Sequence, residues 1–214
     1  GDARGFVWLY TLGPPARSRK VSKGTFIPTY FGDCLTIGLT DWNNDKLLDL
    51  ICGDIAGGVM WCKNLGGGQF TTDDAVPVYY QEPDKSKAFP QIMMGRDPLS
   101  VGNFSAPIAY DLTRNGRVDL IVGDGSYSAN SVYLFRNTGG VGVPLFSAAE
   151  RYWLAYGSGR EQLVPALGDL DGDGDPDLVV GDRIGNVHLY VNEPLESSDK
   201  KERFLMTYKG MIGF

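Results

Sequence analysis

The stretch "DLDGDGDPDLVVGD", residues 169–182, places an aspartate at every second position from Asp169 to Asp177 and then runs into a valine-rich segment. Carboxylates that close repel one another unless a positive charge sits among them or water separates them. Two weaker versions lie upstream. "DWNNDKLLDL" starts at Asp41 and "DLTRNGRVDL" at Asp111, and all three segments begin twelve residues before a Gly-Asp pair, at Gly53, Gly123 and Gly181.

The Gly-Asp pairs belong to a longer recurrence, "GDARGFVWLY" at Gly1, "GDIAGGVMWC" at Gly53, "GDGSYSANSVYLF" at Gly123 and "GDRIGNVHLY" at Gly181, at intervals of 52, 70 and 58 residues. Internal repetition at such a period takes precedence over any single residue. Val7, Val59 and Val187 lie six residues after the glycine, and the third copy inserts three residues before Val132. Apolar runs ("LLDLIC", "VDLIV", "DLVV") precede the last three pairs, which reads as a strand, a tight turn made by the glycine, and a second strand ending at Asn64, Asn137 or Asn192.

Further strands are expected on either side. "CLTIGLT", "APIAY" and "VPALG" precede the acidic loops, and the aromatic-rich "VPVYY" (76–80), "FSAAERYWL" (146–154) and "RFLMTY" (203–208) lie further out. The predicted unit is four short strands with the acidic loop between the second and third. No stretch shows helical periodicity with caps. The expected fold is all-β, a β-propeller of four-stranded blades, with 1–214 a single propeller domain or segment. Its repeats run approximately over 1–23 (partial), 24–66, 67–138, 139–193 and 194–214 (partial). That is about three and a half blades where propellers use about four to eight. The chain is therefore expected to be part of a longer protein, or of an assembly that completes the ring.

Composition narrows the function. With 214 residues, 43% of them hydrophobic, the chain can bury a sizeable core. A net charge of -6, from 20 basic and 26 acidic residues, disfavours nucleic acid and anionic membranes as partners. No apolar run is long enough to span a bilayer, so no membrane insertion is expected. Cys34, Cys52 and Cys62 are too few for a disulfide scaffold, lack zinc-ligand spacing, and leave at least one thiol unpaired within the chain.

The acidic loop, apolar strand, Gly-Asp pair and "VHLY" strand together resemble the FG-GAP or VCBS repeats of integrin α-subunit heads, certain fungal lectins, bacterial surface proteins and some polysaccharide lyases. The resemblance implies an extracellular or cell-surface calcium-binding propeller for adhesion or for binding a carbohydrate or protein ligand. Two alternatives stay open: the scaffold of a propeller polysaccharide lyase or related carbohydrate-active enzyme, and a structural block of a surface assembly.

A loop with oxygen donors at positions 1, 3, 5, 7 and 9, the seventh through its backbone carbonyl, wraps one hard cation. In the third loop these are Asp169, Asp171, Asp173, Asp175 and Asp177, with Gly172 and Gly174 permitting the sharp path. An EF-hand would need a carboxylate where Val180 stands and helices where strands are predicted, so a β-hairpin calcium loop is expected; the alternative is a solvated acidic turn. The first loop offers Asp41, Asn43, Asp45, the Leu47 carbonyl and Asp49, but puts Lys46 at the glycine position. The second offers Asp111, Thr113, Asn115, the Arg117 carbonyl and Asp119, beside two arginines. For both, a hydrogen-bonded turn that keeps the shape without an ion is the competing reading. Asp54, Asp124 and Asp182 read as turn residues.

Little else points to chemistry. His188 stands where other repeats carry Trp8, Met60 and Tyr133, which marks a packing position, and no nucleophile–base pair can be assembled around it. The long stretch 79–104, with Tyr79, Tyr80, Phe89, Met93, Met94, Arg96 and Asp97, is either a ligand-binding loop or an insertion packed on its own blade. "GRD" at 95–97 is not the adhesive order, and "NFS" at Asn103 is a glycosylation acceptor only in a secreted eukaryotic protein.

Overall fold

A computed structural model describes residues 3–4, 6–12, 24–27, 33–71, 76–77, 99–126, 131–147, 151–156, 161–193 and 205–212. Among these residues every regular element is a strand, and every strand pairing is antiparallel. Strands β1 (Val7–Leu9) and β2 (Thr25–Ile27) form a two-stranded sheet. A four-stranded sheet follows from β3 (Thr36–Thr40), β4 (Asp49–Gly53), β5 (Val59–Cys62) and, after a small hairpin of β6 (Asn64–Gly66) and β7 (Gln69–Phe70), β8 (Val76–Pro77). The next is β9 (Ser105–Tyr110), β10 (Asp119–Asp124), β11 (Ser131–Phe135) and β12 (Arg151–Tyr156), and the last is β13 (Val164–Gly168), β14 (Asp177–Gly181), β15 (Val187–Asn192) and β16 (Met206–Ile212).

The strand order corrects one expectation. The aromatic-rich segments hydrogen bond to the hairpin before them, Tyr152 to Leu134 and Tyr208 to Tyr190, and so close a sheet rather than open the next. Each acidic loop therefore joins the first and second strands of its sheet, not the second and third. The chain's last strand is likewise the fourth of its sheet.

Side-chain alternation explains how successive sheets stack. Along β10, Leu120 and Val122 enter one cluster with Trp42, Ile51, Val59 and Phe135, while Ile121 enters another with Leu134, Leu154, Leu163 and Leu178. A third cluster joins Val7 and Ile27 of the first sheet to Leu50, Cys52 and Cys62 of the second. A strand buried on both faces must be apolar throughout, which is why these segments read as continuous runs. Each large apolar side chain so buried contributes about 1.5–3 kcal/mol. All three cysteines are free, and burial pushes the Cys52 thiol up to about 12, the behaviour of an inert core thiol.

Gly53, Gly123 and Gly181 are strand residues, not the turn residues that their sequence context predicts. In the first and third of these hairpins the left-handed turn residue comes four positions later, at Gly57 (φ 82°) and Gly185 (φ 92°). What Gly53 and Gly123 provide is close approach. A Cβ at Gly53 would lie 2.2 Å from the carbonyl oxygen of Ser105, in the following sheet, and one at Gly123 1.9 Å from that of Leu163, just ahead of the sheet after it. At Gly181 the nearest atom is 4.0 Å away, on its own sheet partner Val164. Gly123→Ala is therefore expected to cost about 2–3 kcal/mol through overpacking, and Gly181→Ala to change stability by less than about 1 kcal/mol. Denaturant unfolding of the two variants checks this; equal effects would mean that the glycines do not set the spacing between sheets.

Candidate metal centre

Each acidic loop hangs from a wholly buried carboxylate at the start of the second strand of its sheet: Asp49, Asp119 and Asp177. Asp177 accepts from the Leu170 N–H (2.8 Å) and the Asn192 N–H (3.0 Å), Asp49 from those of Trp42 (3.2 Å) and Asn64 (2.7 Å), and Asp119 from those of Thr113 (3.1 Å) and Asn137 (2.9 Å). The three asparagines are thus struts between loop and hairpin. The amides of Asn64 and Asn137 also donate to the Leu48 and Val118 carbonyls at 2.8 and 3.0 Å. Sequence reading recognised them only as strand ends, although their recurrence was the available signal.

The rest of each loop repeats one backbone path. Asp169 accepts from Gly172 and Gly174, Asp41 from Asp45 and Lys46, and Asp111 from Asn115 and Gly116. The N–H groups of Leu47, Arg117 and Asp175 turn back onto Asp45, Asn115 and Asp173 at 3.0, 2.9 and 2.7 Å. Positions 4 and 6 are left-handed throughout: Gly172 and Gly174 take this freely, whereas Asn44 (φ 58°), Lys46 (φ 70°) and Arg114 (φ 53°) are held there by the loop.

The donor sets differ. In the third loop one oxygen each from Asp169, Asp171 and Asp177 lies within 4.8 Å of the others, the one such convergence of three metal-ligating side chains among the described residues. An oxygen-only set of this kind suits a hard cation such as calcium. Asp173 is exposed and outside that group, and the Asp175 carboxylate pairs with Arg114 of the second loop, which also donates to the Gly174 carbonyl at 2.6 Å. In the second loop the donors are spent on one another. The Thr113 hydroxyl donates to Asp119 (2.9 Å) and accepts from the Asn115 amide (2.6 Å), while Asn115 Oδ1 accepts from Arg117 Nε (3.1 Å). In the first loop Lys63 Nζ lies 3.2 Å from Asp45 Oδ2.

Burial pushes the Asp49, Asp119 and Asp124 carboxyls above the usual range, with N–H donors offsetting part of the shift. For Asp45, burial also acts upward, but the Leu47 N–H, Lys63 and Asn43 outweigh it and hold the group low. The Gly-Asp aspartates form the expected turns: Asp54 accepts from Gly58, Asp124 from Ser126, and Asp182 from Ile184 and Asn186.

His188 is buried, as a packing position requires, but it is not apolar in its dealings. Its Nε2 faces the Asp182 carboxylate at 3.1 Å, and its Nδ1 shares a hydrogen bond with the Tyr208 hydroxyl at 3.3 Å. Burial alone would raise the Asp182 carboxyl; His188, Asn186 and the Ile184 N–H together hold it below its ordinary value. Asn103 is exposed, and the seven residues singled out between Tyr79 and Asp97 lie outside the described residues.

The segment that carries the second and third loops, residues 111–180, matches the FG-GAP-like repeat. About a third of the chain thus carries an FG-GAP-like repeat. Integrin alpha-5 of Xenopus laevis is 28% identical to it over 188 residues, which is 83% of this chain and 17% of that protein. The chain spans less than a fifth of that relative's length, and no solved structure matches it.

Two expectations follow from these side chains. A carboxyl raised in the folded state, as at Asp124, contributes stability that is fully present below about pH 3.8 and is lost as pH rises through its folded value. The stability of Asp124→Asn relative to the wild type should therefore improve as pH rises from about 3.8 and then level off; thermal melts across the acid range measure it, and a difference flat with pH would contradict it. His188→Phe removes one of the donors to a buried carboxylate and should cost about 1–3 kcal/mol, where a purely apolar packing site would tolerate it. Denaturant unfolding of this variant decides between the two.

Proposed function

We propose that the chain is a calcium-stabilised, ligand-binding segment of an extracellular β-propeller, with a protein as its ligand. The convergence of Asp169, Asp171 and Asp177 carries the calcium part, and the likeness to an integrin alpha subunit supports the protein ligand and the cell-surface setting. A cation there would join the loop entering β14 to the strand itself, fixing the sheet edge from which neighbouring loops project. The face of the last sheet that carries Ala166, Val179 and Leu189 leaves Ala166 exposed and the other two half-buried, which supports a further sheet, from the same or another chain, packing there. No helix among the described residues is long and apolar enough to cross a membrane.

Carbohydrate is the second reading. Trp153 and Tyr156, each 69% exposed on the outer strand β12, offer flat apolar faces of the sort sugars stack on. The single histidine, enclosed by Asp182 and Tyr208, is not placed to serve a lyase as an accessible base.

Surface calcium modules bind at roughly 0.1–1 mM, so millimolar calcium should add about 0.4–1.4 kcal/mol per occupied site. The melting temperature should rise with calcium and fall with chelator in the wild type and in Asp111→Ala, and should lose this response in Asp171→Ala. Protein and glycan arrays probed in calcium and in chelator then identify the ligand class. Melting curves indifferent to calcium would overturn the metal assignment.

A further inference from the structure

The second loop is closed by its own hydroxyl, amide and guanidinium groups. The first poses a different problem: it has three carboxylates, Asp41, Asp45 and Asp49, as many as converge in the third loop. Its distinguishing feature comes from outside the loop. Lys63 stands immediately before the strut Asn64, whose N–H is fixed on Asp49 at 2.7 Å, and from there it reaches Asp45 at the fifth loop position. The residue in the same place before the other struts is Arg136 or Val191. Arg136 lies over the Tyr152 ring, its guanidinium carbon 5.8 Å from the ring centroid, and Val191 carries no charge. Among the described residues no lysine or arginine pairs with Asp169, Asp171 or Asp173 of the third loop, and the arginine nearest it, Arg114, is engaged with Gly174 and Asp175.

We propose that Lys63 is the resident cation of the first loop, standing in for the divalent ion, so that the chain takes one divalent cation where its sequence offers three loops. An ammonium tethered by the same strut that holds Asp49 neutralises the Asp45 carboxylate without the entropy of capturing a free ion, and its charge opposes entry of a second cation. The first loop keeps the metal-loop path with that ammonium in place, even with a non-glycine residue, Lys46, held left-handed within it. The inference rests on the calcium reading of the third loop only for the total count; exclusion of metal from the first loop stands separately.

Calcium stoichiometry by titration calorimetry, with terbium as an optical probe, tests it. Trp42 lies within the first loop, whereas the third has Leu170 at that place, so tryptophan-sensitised terbium emission reports the first loop preferentially. The wild type and Lys63→Arg should bind one calcium ion, and Lys63→Val should bind two and gain terbium emission. Asp45→Asn in the Lys63→Val background should remove that gain. Lys63 is largely solvent-facing, its side chain 41% exposed, and Lys63→Gln serves as a second neutral variant should the valine impair folding. A wild type that binds two or more ions, or neutral variants that gain neither stoichiometry nor emission, would overturn the proposal. In the Asp171→Ala background, persistence of the wild-type site would instead fault the third-loop assignment and leave the Lys63 comparison intact.

Discussion

Each four-stranded sheet depends on one buried carboxylate gripped from two sides. Asp49, Asp119 and Asp177 enter the sheet at the first residue of a strand, where no water reaches them, so their oxygens must be met by donors from the chain. One donor comes from the loop that has just passed and the other from the asparagine at the end of the following strand. Removing either leaves a buried charge short of a partner, so loop, strand and hairpin stand or fall together. The loops keep one shape for that reason, whatever ions they hold.

The same economy governs how sheets meet. Because β10 buries Leu120 and Val122 on one face and Ile121 on the other, adjoining sheets must approach closely, and a strand end without a Cβ is the simplest way to admit a neighbouring carbonyl. The recurrence of Gly-Asp thus records two separate demands. The glycine answers to the sheet in front, and the aspartate to the turn behind it.

These recurrences explain what the sequence made legible. Period, strand positions, the left-handed Gly172 and Gly174, and the aspartate-capped turns all follow from local rules, and local rules are visible in a string of letters. The order of strands within a sheet was not. "FSAAERYWL" has the same strand character whether it ends one sheet or begins another, and only hydrogen bonding to β11 decides. The double role of His188 escaped for the same reason: four dissimilar residues at one repeat position suggest packing, and Tyr208, the partner that makes the position polar, lies twenty residues on.

Metal-ligand spacing is legible in the same limited way. Counting oxygens at alternate positions orders the three loops by acidity, yet which positive group comes near each is set by the fold. Arg117 is adjacent in sequence to the second loop's donors, Lys63 is eighteen residues from Asp45, and Arg114 is sixty from Gly174. Only the first of these can be weighed without a fold. Arg114 also changes how neighbouring loops should be regarded. It leaves the second loop in a left-handed conformation and holds the outer side of the third, where Asp175 would offer a cation its carbonyl and not its side chain. The Asp175 carboxylate thus ties the third loop to the second through Arg114, so the acidic loop also serves the packing of adjacent sheets.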